Sequence, residues 1–212
     1  YYGMKTPHYS FDYGNYHFVV LDANYFLDDG REVGYAYCNY HYAQRDSFPV
    51  LPRHQIEWLE QDLMRTNKLT VIFSHQSLTD TRTGIKNYQD LQTLINRVNQ
   101  LKKRVVMCIN GHAHIDNAIK RDGVYYLNIN SISNIWMGPE FSHIRYSEEI
   151  SNKYPYIVDT APYQDPLYAI ITLTTERAVI KGIQSEFVGP SPRDMGYPYE
   201  SKPQISDRVF EF

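Results

Sequence analysis

The sequence predicts an α/β protein built on a mixed β-sheet. Three observations carry this. Two short, nearly continuous apolar runs, 69–74 (Leu-Thr-Val-Ile-Phe-Ser) and 104–110 (Arg-Val-Val-Met-Cys-Ile-Asn), have the composition of strands buried on both faces. Each is preceded by a segment whose apolar residues recur at helical spacing. Strand pairs with turn residues between them stand on either side of this middle portion.

The elements follow in order. Residues 9–13 and 16–22 read as strands joined at Gly14-Asn15, a turn pair between aromatic and β-branched runs. Residues 23–50 show no sustained periodicity and read as a long excursion holding Asp28-Asp29-Gly30, several tyrosines and Pro49. Loops of that length are often functional. Pro52 opens a helix, where its missing N–H costs nothing. Ile56, Leu59 and Leu63, extended by Trp58, form its apolar stripe, and it ends near Thr66-Asn67. Asn87 is the expected N-cap of a second helix, with Asp90 three positions on and a stripe of Leu91, Leu94, Ile95, Val98 and Leu101. Residues 117–120 and 124–130 read as a hairpin around Arg121-Asp122-Gly123, and 167–174 with 177–184 as another. The tail from Gly189 is rich in Pro, Ser and Tyr and reads as extended. The expected division is a main domain over 1–188 and a tail over 189–212.

Composition narrows the function classes. The 212 residues fit one domain. Net charge is −3 and no basic stripe stands out, which argues against nucleic acid as the main partner. No apolar run approaches the roughly 18 residues of a membrane span. Cys38 and Cys108 are too few for a disulfide framework, and Cys108 sits in an apolar strand as a small core residue. The 20 tyrosines suit amphipathic packing at surfaces and sheet edges.

Gly111-His112-Ala113-His114 is the stretch with the most chemistry. Two imidazoles one residue apart, beyond a rigid strand and behind a glycine, can aim their lone pairs at a common point. Neutral imidazole is the commonest protein ligand for zinc, iron and manganese. In α/β sheets, ligands gather beyond the carboxyl ends of the strands. His75 arrives at a second such end, and the helix between makes the two strands parallel neighbours. His75, His112 and His114 are therefore the candidate metal ligands. His8, His17, His41, His54 and His143 lack that context and read as structural or surface residues.

At this point the residues resemble a family. The order strand-Ser-His, helix, strand-Gly-His-x-His, then a hairpin leading to a Ser-containing strand resembles the C-terminal portion of the calcineurin-like metallophosphoesterases, which include purple acid phosphatases. Residues 9–22, 55–63 (Gln-Ile-Glu-Trp-Leu-Glu-Gln-Asp-Leu) and 124–131 (Val-Tyr-Tyr-Leu-Asn-Ile-Asn-Ser) resemble that family's neighbouring segments, so the likeness runs over about 9–185. It implies part of a four-layer αββα sandwich with mixed sheets. It also implies a hydrolase of phosphate esters that uses a dinuclear centre of manganese, zinc or iron, with metal-bound hydroxide as nucleophile. His75 and His112 would ligate one ion and His114 the other, while Asn110 and Gly111 shape the turn. Gln76-Ser77 departs from the small or proline-containing sequence usual there and is expected to alter the pocket wall. Export is implied only by secreted members of the family.

The family's Asp-x-His, Gly-Asp-x-x-Asp and Gly-Asn-His blocks, which supply the bridging carboxylate and the general acid, do not occur in the 212 residues. No catalytic residue is assigned within this chain for that reason. Gly14-Asn15-Tyr16-His17 has a tyrosine inserted and lies in a hairpin, and Asp12, Asp22, Asp28 and Asp29 lack the ligand spacing. The expectation is a fragment or processed product, incomplete for catalysis alone, with apolar faces awaiting the N-terminal portion or another chain. Arg145 is a candidate phosphate contact, and Tyr25, Tyr35, Tyr37, Tyr40, Tyr42, Trp136 and His143 are candidate pocket walls. Two rival readings are a non-catalytic binding or scaffold domain of the same fold and a metallo-β-lactamase-like hydrolase. In the latter, His112-Ala-His114-Ile-Asp116-Asn117 would stand for His-x-His-x-Asp-His with its last histidine replaced, and Asp116 would point into the metal site.

Overall fold

The apolar runs 69–74 and 104–110 lie at the centre of a six-stranded sheet in the computed structural model, which describes residues 4, 6–34, 48–79, 83–102 and 104–212. The chain divides into two units. The first takes in the residues up to Ala113, then Ala118–Asn128 and Phe212; the second takes in His114–Asn117 and Ile129–Glu211.

In the first unit the strands are β1 (Tyr9–Tyr13), β2 (Tyr16–Leu21), β3 (Tyr25–Asp28), β4 (Arg31–Gly34), β5 (Leu69–Ser74), β6 (Val105–Asn110), β7 (Asn117–Arg121) and β8 (Val124–Asn128). The helices are α1 (Arg53–Arg65) and α2 (Tyr88–Lys102). The sheet runs β1-β2-β5-β6-β8-β7. β1 pairs antiparallel with β2, while β2, β5, β6 and β8 are mutually parallel. The sheet is therefore mixed, as the sequence predicts, with α1 and α2 in two of its three parallel connections and β7 in the third.

Both helices face one side of the sheet. Leu59 and Leu63 of α1 and Leu91, Leu94, Ile95 and Val98 of α2 share a core with Val19, Ile72, Cys108 and Tyr126. Val19, Ile72, Cys108 and Tyr126 are successive partners across the ladder, so one row of side chains supports both helices. Each fully buried leucine or isoleucine contributes roughly 1.5–3 kcal/mol. Gln55 is also fully buried on α1. Its Nε2 donates to the Asp22 carbonyl (2.7 Å) and its Oε1 accepts from the Asp22 N–H (3.1 Å), so the end of β2 is satisfied by a side chain. Arg104 closes the other end of α1 by donating to the Leu63 carbonyl and to Asn67.

Three expectations need revision. Leu101 is 65% exposed. It shares the face of Leu94 seven residues earlier, but it stands in the last turn of α2, beyond the buried part of the stripe. Asn87 does precede α2, but its side-chain amide pairs with both backbone groups of Leu51 (2.9 and 2.8 Å). The excursion over 23–50 contains the β3–β4 hairpin, turned at Asp29 (φ 46°) and Gly30 (φ 77°). Two consecutive left-handed residues at an Asp-Gly pair are the type I′ turn chemistry, and strands of four residues are too short to show periodicity. Tyr35, Tyr37, Cys38, Tyr40, His41 and Tyr42 lie outside the described residues.

The second unit holds β9 (Asn134–Trp136), α3 (Glu148–Lys153), β10 (Thr160–Pro162), β11 (Ile170–Leu173), β12 (Arg177–Lys181) and β13 (Arg208–Glu211). β11, β12 and β13 form an antiparallel sheet in that order, so the extended tail supplies its third strand. Ile135, Met137, Ala161, Tyr163, Leu167 and Ile205 form the core. Gly182 lets the tail pass, because a Cβ there would lie 1.9 Å from the Ile205 carbonyl oxygen. Among the described residues no helix is long and apolar enough to cross a membrane.

Candidate functional site

The parallel register pairs Leu21 with Ser74 and Ser74 with Asn110, so β2, β5 and β6 end level. The next residues are Asp22, His75 and Gly111. The Gly111 N–H donates to the His75 carbonyl (3.1 Å), and the Ala113 N–H turns back to Gly111 (2.7 Å). His112 adopts φ 62° in this tight turn. A left-handed backbone is costly for a residue with a Cβ and recurs where function fixes a side chain's aim.

The turn sets His112 Nδ1 3.1 Å from His75 Nε2, with the rings edge to face at 4.8 Å between centroids. Two imidazoles sharing an ion with bonds of about 2.0–2.1 Å stand roughly 2.9–3.4 Å apart at their nitrogens. The pair has that spacing, which is also the length of a ring-to-ring hydrogen bond. His75 is exposed enough to be reached, while desolvation of part of its ring holds its pKa below the ordinary value, favouring the neutral form that ligates. Below the turn, the buried side-chain amides of Asn110 and Asn128 pair at 2.9 Å, and Ser74 Oγ donates to the Gln76 carbonyl (2.6 Å). Gln76 and Ser77 are buried, so the departure from the family pattern falls in the packed interior and not on a pocket wall.

Asp22 shares this rim, but its carboxylate accepts from the Asn24 N–H (3.1 Å) and Nδ2 (2.7 Å). Asp28 and Asp29 belong to the β3–β4 turn. His8 packs edge-on against Trp58 (4.8 Å) near His54, and desolvation, then the His54 charge, lower its pKa. His17 bonds Asp12 and Asp62. Tyr25 packs against His54, and His143 is exposed. Among the described residues, no group of three or more His, Cys, Asp or Glu is placed to hold a metal ion.

In the second unit His114, at φ 52°, lines a polar cleft of about 330 Å³ with Asp116, Asn117, Lys202, Gln204 and Arg208. Burial pushes the Asp116 carboxyl up, and hydrogen bonds from Ser206 and Arg208 more than offset this, holding it below its ordinary pKa. Ser206 N–H (3.0 Å) and Oγ (2.5 Å) donate to one oxygen and Arg208 Nη2 (2.9 Å) to the other. Asp116 is thus a structural anchor for the tail, with both oxygens engaged by Ser206 and Arg208. No local pattern marks these partners, which stand 90 and 92 residues away. Arg145 Nη2 donates to the Pro190 carbonyl (3.0 Å) and to Met195 Sδ (2.9 Å), with its stem against Gly189.

No protein-family model matches the chain. No curated protein matches it significantly. Among solved structures it is similar to a dimetal phosphatase from Danio rerio, with a TM-score of 0.53 and 18% identity over 85% of this chain and 60% of that one. It is also aligned with GAP50, the anchor in the inner membrane complex of Plasmodium, at a TM-score of 0.43 and 13% identity, covering 96% of this chain and 56% of that one. The chain therefore spans less than two thirds of the length of either structure. The likeness to the phosphatase is one of fold: the chain shares its mixed α/β architecture.

Proposed function

We propose that this chain carries part of the metal centre of a phosphoester hydrolase. The observation that supports the reading best is the pair His75 Nε2 and His112 Nδ1, 3.1 Å apart at the carboxyl ends of parallel strands. The fold shared with a protein described as a dimetal phosphatase agrees with it. His75 and His112 would hold one ion, and the sequence resemblance assigns His114 to a second. Bound zinc, iron or manganese supplies Lewis acidity toward a phosphate ester and lowers the pKa of water. The chain's own contribution is orientation. The strained turn at His112 and the Asn110–Asn128 pair hold the donor nitrogens in place, and desolvation of the His75 ring favours its neutral form.

The test is zinc and manganese binding to the chain, measured by calorimetry and by metal analysis after gel filtration. Binding of an ion that is lost in both His75→Ala and His112→Ala, at unchanged thermal stability of the apo proteins, is the expected result. No binding, or binding unchanged in both variants, overturns the assignment and leaves a scaffold of the same fold.

A further inference from the structure

His17 lies outside that site. Its ring is buried on β2, with Nδ1 2.7 Å from Asp12 Oδ1 on β1 and Nε2 2.8 Å from Asp62 Oδ2 on α1. A neutral imidazole has one donor and one acceptor nitrogen. In that state one lone pair would face a carboxylate at hydrogen-bond distance. Both contacts are satisfied only by the imidazolium, which donates twice in charge-assisted bonds. The charges facing the ring balance when it is protonated. Asp12 also accepts from Lys68 Nζ (3.1 Å), and Asp62 accepts from Ser10 Oγ (3.0 Å). On β5 the residue in register with His17 is Thr70, which carries no charge.

We propose that His17 is a proton-held clasp: with both nitrogens protonated it ties the edge strand β1 and its neighbour β2 to helix α1, and loss of its proton loosens β1. The Asp62 hydrogen bond raises the pKa of the ring, desolvation opposes it, and the Asp12 bond adds to the rise. The His17 bond and then the Lys68 bond lower that of Asp12. A raised histidine stabilises the fold fully below its unfolded value of 6.5, and the contribution is lost as pH rises through the folded value. A lowered aspartate contributes above 3.8, and its share is lost as pH falls through the folded value. The clasp is complete in mildly acidic solution, between those two limits.

Ring ¹⁵N NMR of the full chain reads the proton state directly. Both His17 nitrogens are expected to carry protons at pH 6, with a titration midpoint above 6.5. From pH 6 to 9, protection of the Tyr9–Tyr13 amides, corrected for intrinsic exchange, is expected to fall by up to about tenfold per pH unit within the titration range. The β6 amides keep their protection. His17→Gln removes that pH dependence. Asp12→Asn, at a half-exposed position, lowers the His17 midpoint and serves where His17→Gln does not fold. A singly protonated ring at pH 6, a midpoint at or below 6.5, or equal pH dependence in wild type and His17→Gln overturns the clasp.

Discussion

At the scale of the residue, His112 joins strain to chemistry. Its φ of 62° costs a residue with a Cβ about 1–2 kcal/mol, and glycine would occupy the same backbone without that cost. The turn keeps histidine there, and only the imidazole gains from the placement, through its contact with His75. His112→Gly is therefore expected to be more stable than His112→Ala by about 1 kcal/mol in urea unfolding, while neither binds the ion. Equal stabilities would show that the backbone relaxes and that the turn stores no strain. The same left-handed geometry at His114, φ 52°, marks both histidines of Gly-His-x-His as held by the backbone.

At the scale of the element, the helices are positioned by polar contacts as well as by apolar stripes. Gln55 replaces two missing ladder partners at the end of β2, and Arg104 satisfies the last turn of α1. Cutting Gln55 to alanine leaves the half-buried Asp22 N–H and C=O without these partners. Each lost partner costs about 1–3 kcal/mol, so Gln55→Ala is expected to lose roughly 2–5 kcal/mol in chemical denaturation. A loss below about 1 kcal/mol would mean that water reaches the end of β2. The exposed Arg97–Glu60 pair between α2 and α1, at 2.6 Å, contributes at most about 1 kcal/mol and serves as the contrast. Asp116 works similarly in the second unit, where its bonds to Ser206 and Arg208 fasten the segment that leads into β13.

At the scale of the whole molecule, the proposed activity needs more ligands than the candidate pair. The carboxylate blocks of the resembling family are not among the 212 residues, and the described residues hold no three-donor cluster. Turnover of bis(p-nitrophenyl) phosphate and p-nitrophenyl phosphate by this chain, with manganese or zinc added, is expected to lie about a thousandfold or more below that of an intact dinuclear enzyme. Turnover comparable to such an enzyme would overturn the reading of an incomplete centre. The exposed aromatics Phe11 and Tyr13 on edge strand β1 show that apolar surface remains uncovered there.

The amino-acid sequence makes legible the α/β class, the order of elements around the site and the arrival of His75 and His112 at strand ends. These follow from local periodicity and turn chemistry, which act within a few residues. It did not reveal the β3–β4 hairpin, whose strands are too short for a pattern, or the exposure of Leu101, which depends on where the sheet stops supporting α2. The packed structure adds the 3.1 Å approach of His75 to His112, the hold of Asp12 and Asp62 on His17, and the anchoring of Ser206 and Arg208 by Asp116. Most of these partners stand 37 to 92 residues apart. Side chains so distant in sequence leave no periodic trace, because only strand register and helix packing bring their atoms within bonding distance.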